Sequence, residues 1–156
     1  MKITILDHST QKSLTFDAKE FNNPSSTEVK FDFENSKKFD YRDIKTFEDA
    51  CKKLGINVIN FNNEHSNYKK HVLAFEKLTI IFEAINDGWK ADFSNPNEAK
   101  YNPWFQWDES SGFSFDYSNS GHSGSCVGSL LSTNTREKSD YIGKQFIDIY
   151  DDFLNN

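Results

Sequence analysis

Residues 78–107 hold the densest run of apolar and aromatic side chains in the chain, and they restrict the folds that it can adopt. At about 100° per residue, Leu78 and Ile81 fall on one face of a helix and Ile80 falls on the opposite face, which leaves only a narrow polar strip. A helix that lies on a protein surface has a wider polar face. The pattern therefore predicts a helix that starts near Tyr68, is covered on two sides and forms the middle of the core.

The second half of this run changes to a period of two, which predicts a β-strand. The helix is expected to end at residues 86–88, because Gly88 suits the left-handed position that follows a helix. A polar loop then leads through a proline turn into residues 101–107. Aromatic side chains occur on both faces of that strand. Tyr101, Pro103, Phe105 and Trp107 point one way, and Asn102, Trp104 and Gln106 point the other.

The remaining patterns complete a sheet and a second long helix. A hairpin connection at residues 108–112 leads to the alternating residues 113–117, and residues 126–131 are interpreted as a third strand. The C-terminal segment predicts a helix capped by Thr133 or Thr135. Its apolar side chains recur on one face: Ile142, Phe146, Ile149 and Phe153. We expect an α+β fold, an antiparallel three-stranded meander with the central and C-terminal helices packed on one face.

The N-terminal forty residues predict a β appendage of the same domain, so that residues 1–40 precede the main part, residues 41–156. Three short extended segments support this prediction: residues 2–6, 13–16 and 28–33. Thr46 is expected to cap a short helix that Gly55 ends. Gly143 lowers the helix propensity of the C-terminal segment, so we expect another element to pass close to it.

Length and composition exclude several classes of protein. At 156 residues the chain fits one domain, and its fifteen Phe supply large buried side chains that a disordered chain lacks. The net charge is −6, and Arg occurs only at positions 42 and 136. Because Arg is the residue that forks onto phosphates and base edges, a nucleic-acid partner is disfavoured. No run approaches the roughly 18 apolar residues of a spanning helix, so no membrane partner is expected.

The two cysteines, Cys51 and Cys126, are not part of a C-x-x-C pair. We expect two buried free thiols, which suits a reducing compartment, and we infer a cytoplasmic protein. The first ten residues, MKITILDHST, become polar too early for a signal peptide. Secretion by a route without a leader is the alternative.

No complete catalytic constellation is found. Residues 121–125, GHSGS, are similar to a nucleophile elbow, but the second Gly falls one place early and the sequence that follows predicts a strand where the elbow requires a helix. Cys126 with His122 is the alternative for a small enzyme that uses a thiolate. A hairpin loop and a packing cysteine are the favoured interpretations of these residues.

Metal and cofactor sites are not expected either. The four His are scattered along the chain. Asp92, Asn95 and Glu98 share one loop, yet their spacing is not that of a calcium loop, so solvated carboxylates are favoured. No glycine pattern of the kind that binds phosphates or dinucleotides is present.

The aromatic side chains around this loop and the following strand are the best candidate for a binding surface. One face of the strand fills the core, and the other leaves Trp104 exposed unless a ligand or partner covers it. We expect a protein or small-molecule ligand to contact these residues: Trp89, Tyr101, Trp104, Asn95 and Glu98. The alternative is that the N-terminal β appendage covers Trp104.

Several short motifs occur in order along residues 41–156. They are IKTFEDAC at 44–51, NDGW at 86–89 with Asn95 and Glu98 after it, KYNPWF at 100–105, GFSF at 112–115, VGS at 127–129 and GKQF at 143–146. Together they resemble a family of small uncharacterised proteins encoded by gut Bacteroidetes and their phages. The resemblance implies a phage or mobile-element setting and brings no activity with it.

The leading hypothesis is a non-enzymatic phage or mobile-element accessory protein that binds a ligand or partner through the aromatic surface, countering a host defence system. A structural virion or assembly component is one alternative, for which a homo-oligomer is expected. A small enzyme that uses Cys126 and His122 is the other.

Overall fold

The computed structural model describes residues 2–7, 12–17, 39–58 and 69–155. The chain divides into two compact units, residues 1–40 and residues 41–156. In the first unit, strands β1 (Lys2–Asp7) and β2 (Lys12–Asp17) pair antiparallel. Two of the three extended segments expected there are thus confirmed, and the third, at residues 28–33, lies outside the described residues. The assignment of the first forty residues to the same domain stays a prediction.

The second unit has an α+β fold, as expected from the sequence. In chain order it contains a 3-10 helix (Tyr41–Asp43), α1 (Phe47–Leu54), α2 (Lys69–Asn86), β3 (Lys100–Asp108), β4 (Gly112–Gly121), a second 3-10 helix (Ser129–Leu131), α3 (Arg136–Gln145) and α4 (Ile147–Leu154). Strands β3 and β4 form an antiparallel hairpin. Among the described residues, no helix combines the length and the apolar character that crossing a membrane requires.

Helix α2 is the buried helix that the sequence predicts. The side chains of Leu78, Ile81, Phe82 and Ile85 are fully buried, and each contributes about 1.5–3 kcal/mol by leaving water. The helix packs against α1, α4, α3 and the second 3-10 helix. Asp87 and Gly88 then adopt left-handed backbone angles, which ends the helix where Gly88 indicated.

The short helix α1 also follows its sequence signals. The Thr46 side chain accepts a hydrogen bond from the Asp49 N–H at 3.1 Å, and the Asp49 carboxylate accepts one from the Thr46 N–H at 3.0 Å, which completes a capping box. Gly55, with a φ of 71°, ends the helix. The predicted cap and end of this helix are both confirmed.

The C-terminal helix is divided into two pieces at Phe146, whose φ of −114° and ψ of 31° interrupt it. Thr135, one of the two candidate residues, caps α3. Helices α3 and α4 pack against the hairpin and also contact α2, so α2 reaches the sheet mainly through them. A Cβ on Gly143 would lie 2.7 Å from Phe115 Cε2 and 3.0 Å from Pro103 Cβ, which confirms the close approach expected there.

The predicted third strand, residues 126–131, is wrong. Those residues form a bend and a 3-10 helix, and only Thr133 pairs with β3, through N–H···O bonds of 2.9 and 2.8 Å with Tyr101. In that register the next hydrogen-bonded pair would join Leu131 to Pro103, but proline has no N–H to donate. The chain turns away instead, and the Ser125 hydroxyl accepts from the Gly128 N–H at 2.8 Å in that turn. Among the described residues, the edge of β3 that does not pair with β4 therefore has a backbone partner only at Tyr101.

Candidate functional site: an apolar cleft along strand β3

An apolar cleft of about 210 Å³ lies between β3, residues 126–131 and α4. The residues that line it are Asn102, Pro103, Trp104, Phe105, Phe113, Cys126, Val127, Leu131, Tyr150, Phe153 and Leu154. No Asp, Glu, Lys, Arg or His is among them. The β3 residues that border the cleft, 102–105, follow Tyr101, which forms the bridge to Thr133. The cleft therefore lies where the third strand was expected to pair with β3.

The aromatic pair Trp104 and Tyr117 lies at this part of the hairpin. Trp104 is 42% exposed, Tyr117 is 45% exposed, and their rings stack with centroids 6.2 Å apart. A β-bulge produces this pair, because Trp104 is opposite Tyr117 whereas Phe105 is opposite Phe115, so Asp116 is the extra residue in β4. The exposure of Trp104 agrees with its predicted face. The sequence did not reveal Tyr117, since an unbroken register would place Asp116 opposite Trp104.

Phe105 and Trp107, which the alternation places together on the core-facing side of β3, differ in burial. Phe105 turns toward the helices and packs against Tyr150 with a centroid distance of 4.3 Å. Trp107, expected on the same core-facing side, is exposed and packs edge to face on Phe113 at 5.0 Å. Trp107 comes only one residue before the end of β3, where the hairpin offers it little besides Phe113 to pack on.

Three of the predicted site residues, Trp89, Asn95 and Glu98, come together in the loop between α2 and β3. The Trp89 indole N–H donates to Glu98 Oε2 at 3.3 Å, and the other carboxylate oxygen accepts from the Asp92 N–H at 3.0 Å. Glu98 Oε1 also lies 3.2 Å from Lys100 Nζ. The hydrogen bond from Asp92, together with Lys100 and Trp89, holds the pKa of Glu98 below its usual value.

Lys100 connects this loop to the start of β3. Its side chain is buried, with 2% of the residue exposed, and the ammonium donates to the carbonyl oxygens of Asn95 at 3.2 Å and Glu98 at 2.8 Å. It also lies 5.3 Å from the centre of the Phe93 ring. The polar residues of the loop thus bind one another and fix its shape.

The loop does not resemble a cation site. The Asp92 carboxylate accepts from both the N–H and the hydroxyl of Ser94, at 2.9 and 2.6 Å, and these bonds lower its pKa. The Asn95 side chain accepts from the Asn97 N–H at 3.0 Å. Within the described ranges, no group of three or more His, Cys, Asp or Glu is arranged to hold a metal. The carboxylates instead stabilise turns of the loop.

Tyr101 and Trp104, the other two predicted site residues, have different surroundings. The Tyr101 ring lies under the Arg136 guanidinium, 5.2 Å from the ring centre, and the Tyr101 backbone pairs with Thr133. Trp104 alone of the five predicted residues lines the cleft. Asn102, Tyr150, Val127 and Leu131 were not predicted as site residues, because only the tertiary arrangement brings them to one cleft.

The two cysteines differ from each other. Cys51 is fully buried on α1, as expected, and desolvation raises the pKa of its thiol. The expected burial of Cys126 is wrong, since this thiol is exposed at the cleft. The bend that replaces the third strand explains its exposure. No hydrogen bond joins Cys126 to His122 in the part of the chain that the structure describes.

Comparison with known proteins does not place this chain in a family. Neither a protein-family model nor a curated protein nor a solved structure matches it. The resemblance of residues 41–156 to a phage and Bacteroidetes family stays a prediction, and the function has to be argued from the cleft itself.

Proposed function

We propose that this chain is a binding protein whose cleft along β3 holds a small apolar or aromatic ligand, with Trp104 at its edge. The observation behind this proposal is the apolar cleft beside an exposed, stacked aromatic pair. Ligand sites in proteins are mostly apolar clefts with a few polar groups, and drug-sized ligands occupy roughly 300–1,000 Å³. A cleft of about 210 Å³ suits a smaller ligand of one or two rings.

The surroundings of the other predicted residues favour the cleft over the loop. Trp89 donates a hydrogen bond to Glu98, and the Tyr101 ring already contacts Arg136. Trp104 and Tyr117 contact each other but keep much of their surface in water. A single exposed ring is ordinary on a protein, whereas an exposed ring pair next to an apolar cleft is typical of a binding surface.

Naphthalene is a suitable first probe because it is rigid, uncharged and entirely apolar. With ligand efficiencies of roughly 0.3–0.5 kcal/mol per atom, its ten carbons correspond to a dissociation constant on the order of millimolar. We expect a titration followed by NMR to shift the backbone amide signals of Phe105, Cys126 and Leu131. Trp104→Ala should weaken binding about twofold to tenfold, since ring contacts contribute about 0.5–1.5 kcal/mol.

Trp107→Ala is the matched control. Trp107 is exposed on the same strand and contacts the cleft only through Phe113, so its replacement should weaken naphthalene binding less than Trp104→Ala does. Equal binding by the wild type and Trp104→Ala would remove Trp104 from the site. Absence of shifts at the cleft residues would contradict the proposed function itself.

The biological setting in this proposal, an accessory protein of a phage or mobile element that counters a host defence, is supported by the sequence resemblance alone. A virion or assembly component remains the alternative. Light scattering separates the two, because a ring or large homo-oligomer favours assembly, while a monomer or dimer favours the binding protein.

A further inference from the structure

Two polar side chains that line the cleft, those of Asn102 and Tyr150, have no hydrogen-bond partner among the described residues. Asn102 is 8% exposed and Tyr150 is 4% exposed, yet no described residue hydrogen-bonds to the Asn102 amide or to the Tyr150 hydroxyl. Asn86 is also buried, but its amide donates to the Ser132 carbonyl at 2.8 Å. Since about 90% or more of buried polar groups are hydrogen-bonded, two free groups in one cleft need an explanation.

Asn102 and Tyr150 both line the cleft, and their polar atoms are not fully enclosed. The Asn86 Oδ1 atom is the one fully enclosed side-chain oxygen or nitrogen without a partner in the described part of the chain. The polar atoms of Asn102 and Tyr150 therefore keep some accessible surface, and the cleft is the surface that both residues share. Both groups can hydrogen-bond to a molecule that enters the cleft.

We propose that the ligand of this cleft is a small, uncharged ring molecule with an amide-like edge, in which a hydrogen-bond donor adjoins an acceptor, and that Asn102 and Tyr150 bind this edge. The inference rests on the proposed function and names its ligand class. The Asn102 amide supplies one acceptor and two donors, and the Tyr150 hydroxyl donates and accepts. The aromatic and aliphatic lining contacts the rest of the ring.

The charge of the cleft supports an uncharged ligand. Its lining residues include no Asp, Glu, Lys, Arg or His. Burial raises the pKa of Tyr150 far above its ordinary value, so its hydroxyl stays neutral and remains a donor. A carboxylate or ammonium group that entered this cleft would lose hydration without gaining an opposite charge.

Three probes of similar ring size test the inference in the full chain: naphthalene, 2-quinolone and 2-naphthoate. Naphthalene has no polar group, 2-quinolone has an N–H beside a C=O, and 2-naphthoate is charged. We expect 2-quinolone to bind the wild type, and 2-naphthoate to bind at least about tenfold more weakly than naphthalene. The dissociation constants are measured by NMR titration at neutral pH.

The decisive quantity is the ratio of the naphthalene constant to the 2-quinolone constant. Asn102→Leu removes the amide and Tyr150→Phe removes only the hydroxyl, and each should lower this ratio about tenfold, the value of one hydrogen bond. Tyr150→Phe keeps the ring that packs on Phe105, so this variant still tests the inference if Asn102→Leu does not fold. A change in the cleft that weakens the binding of both probes equally does not alter the ratio of their dissociation constants.

The outcomes separate the inference from the proposed function. If both uncharged probes bind and the ratio is the same in wild type and variants, the cleft holds ligands but water satisfies its polar groups, and the inference is overturned. Tight binding of 2-naphthoate at the same residues also overturns it. If no probe shifts the signals of the cleft residues, the proposed function fails and the inference fails with it.

Discussion

Two buried polar side chains near the beginning of strand β3, those of Lys100 and Asn102, differ in how their hydrogen-bonding groups are satisfied. At its beginning, the Lys100 ammonium is buried and contacts two carbonyl oxygens and the Glu98 carboxylate. Two residues later, the Asn102 amide is nearly as buried and has no partner among the described residues. The Lys100 ammonium has its partners within the protein, whereas the Asn102 amide retains hydrogen-bonding capacity for another molecule.

The difference shows that a chemically rich sequence segment is not automatically the binding site. The loop with Trp89, Asp92, Asn95 and Glu98 has the residue types that bind ligands, but these residues hold the loop together. The lining of the cleft is mostly apolar, and Asn102 and Tyr150 are its two buried polar side chains. Their significance comes from their burial without partners, since an unsatisfied buried polar group costs about 1–3 kcal/mol.

The comparison is tested most strongly by Lys100→Met, which keeps an unbranched side chain one atom shorter and removes the ammonium. The loss of its hydrogen bonds to two carbonyl groups should destabilise the chain by about 2–3 kcal/mol, measured by urea unfolding. Lys90→Met, at an exposed lysine of the same loop, is the control and should change stability by less than about 0.5 kcal/mol. Similar effects of the two variants would contradict a structural role for Lys100.

A second test compares two buried asparagines. Asn86→Leu leaves the Ser132 carbonyl without its donor and should cost about 1 kcal/mol. Asn102→Leu breaks no hydrogen bond among the described residues and replaces their one partnerless buried amide of this strand with an apolar group, so it should be neutral or stabilising by up to about 1 kcal/mol. If Asn102→Leu costs as much as Asn86→Leu, the amide of Asn102 has a partner and the contrast between Lys100 and Asn102 is lost.

The parts of the fold that follow from local patterns could be predicted from the sequence. The buried helix α2, the end of that helix at Gly88 and the β3–β4 hairpin each depend on periodicity or on residues within one turn. The prediction of a third strand was wrong because the apolar residues at 126–131 have the pattern of a strand but do not form one. Its partner position on β3 is Pro103, and that conflict appears only when the register is known.

The candidate site was predictable only in part, for a similar reason. Alternation along β3 indicated that Trp104 faces away from the core, but the bulge that places it opposite Tyr117 leaves no mark in the apolar pattern. Asn102 and Tyr150 are separated by nearly fifty residues in the sequence, and either residue alone is unremarkable. Their shared cleft depends on the packing of α4 beside the hairpin.

The smallest expected effect is the pH response of the loop. Because the Asp92 N–H, Lys100 and Trp89 favour the charged form, the folded pKa of Glu98 lies below its ordinary value of 4.5. The stabilising contribution of this carboxylate is therefore present above that ordinary value and is lost as the pH falls through the lower folded pKa. The indole N–H signal of Trp89, followed by NMR, should shift with a midpoint below pH 4.5. Glu98→Gln should abolish this transition, and a midpoint at or above 4.5 would show that the loop does not stabilise the Glu98 carboxylate.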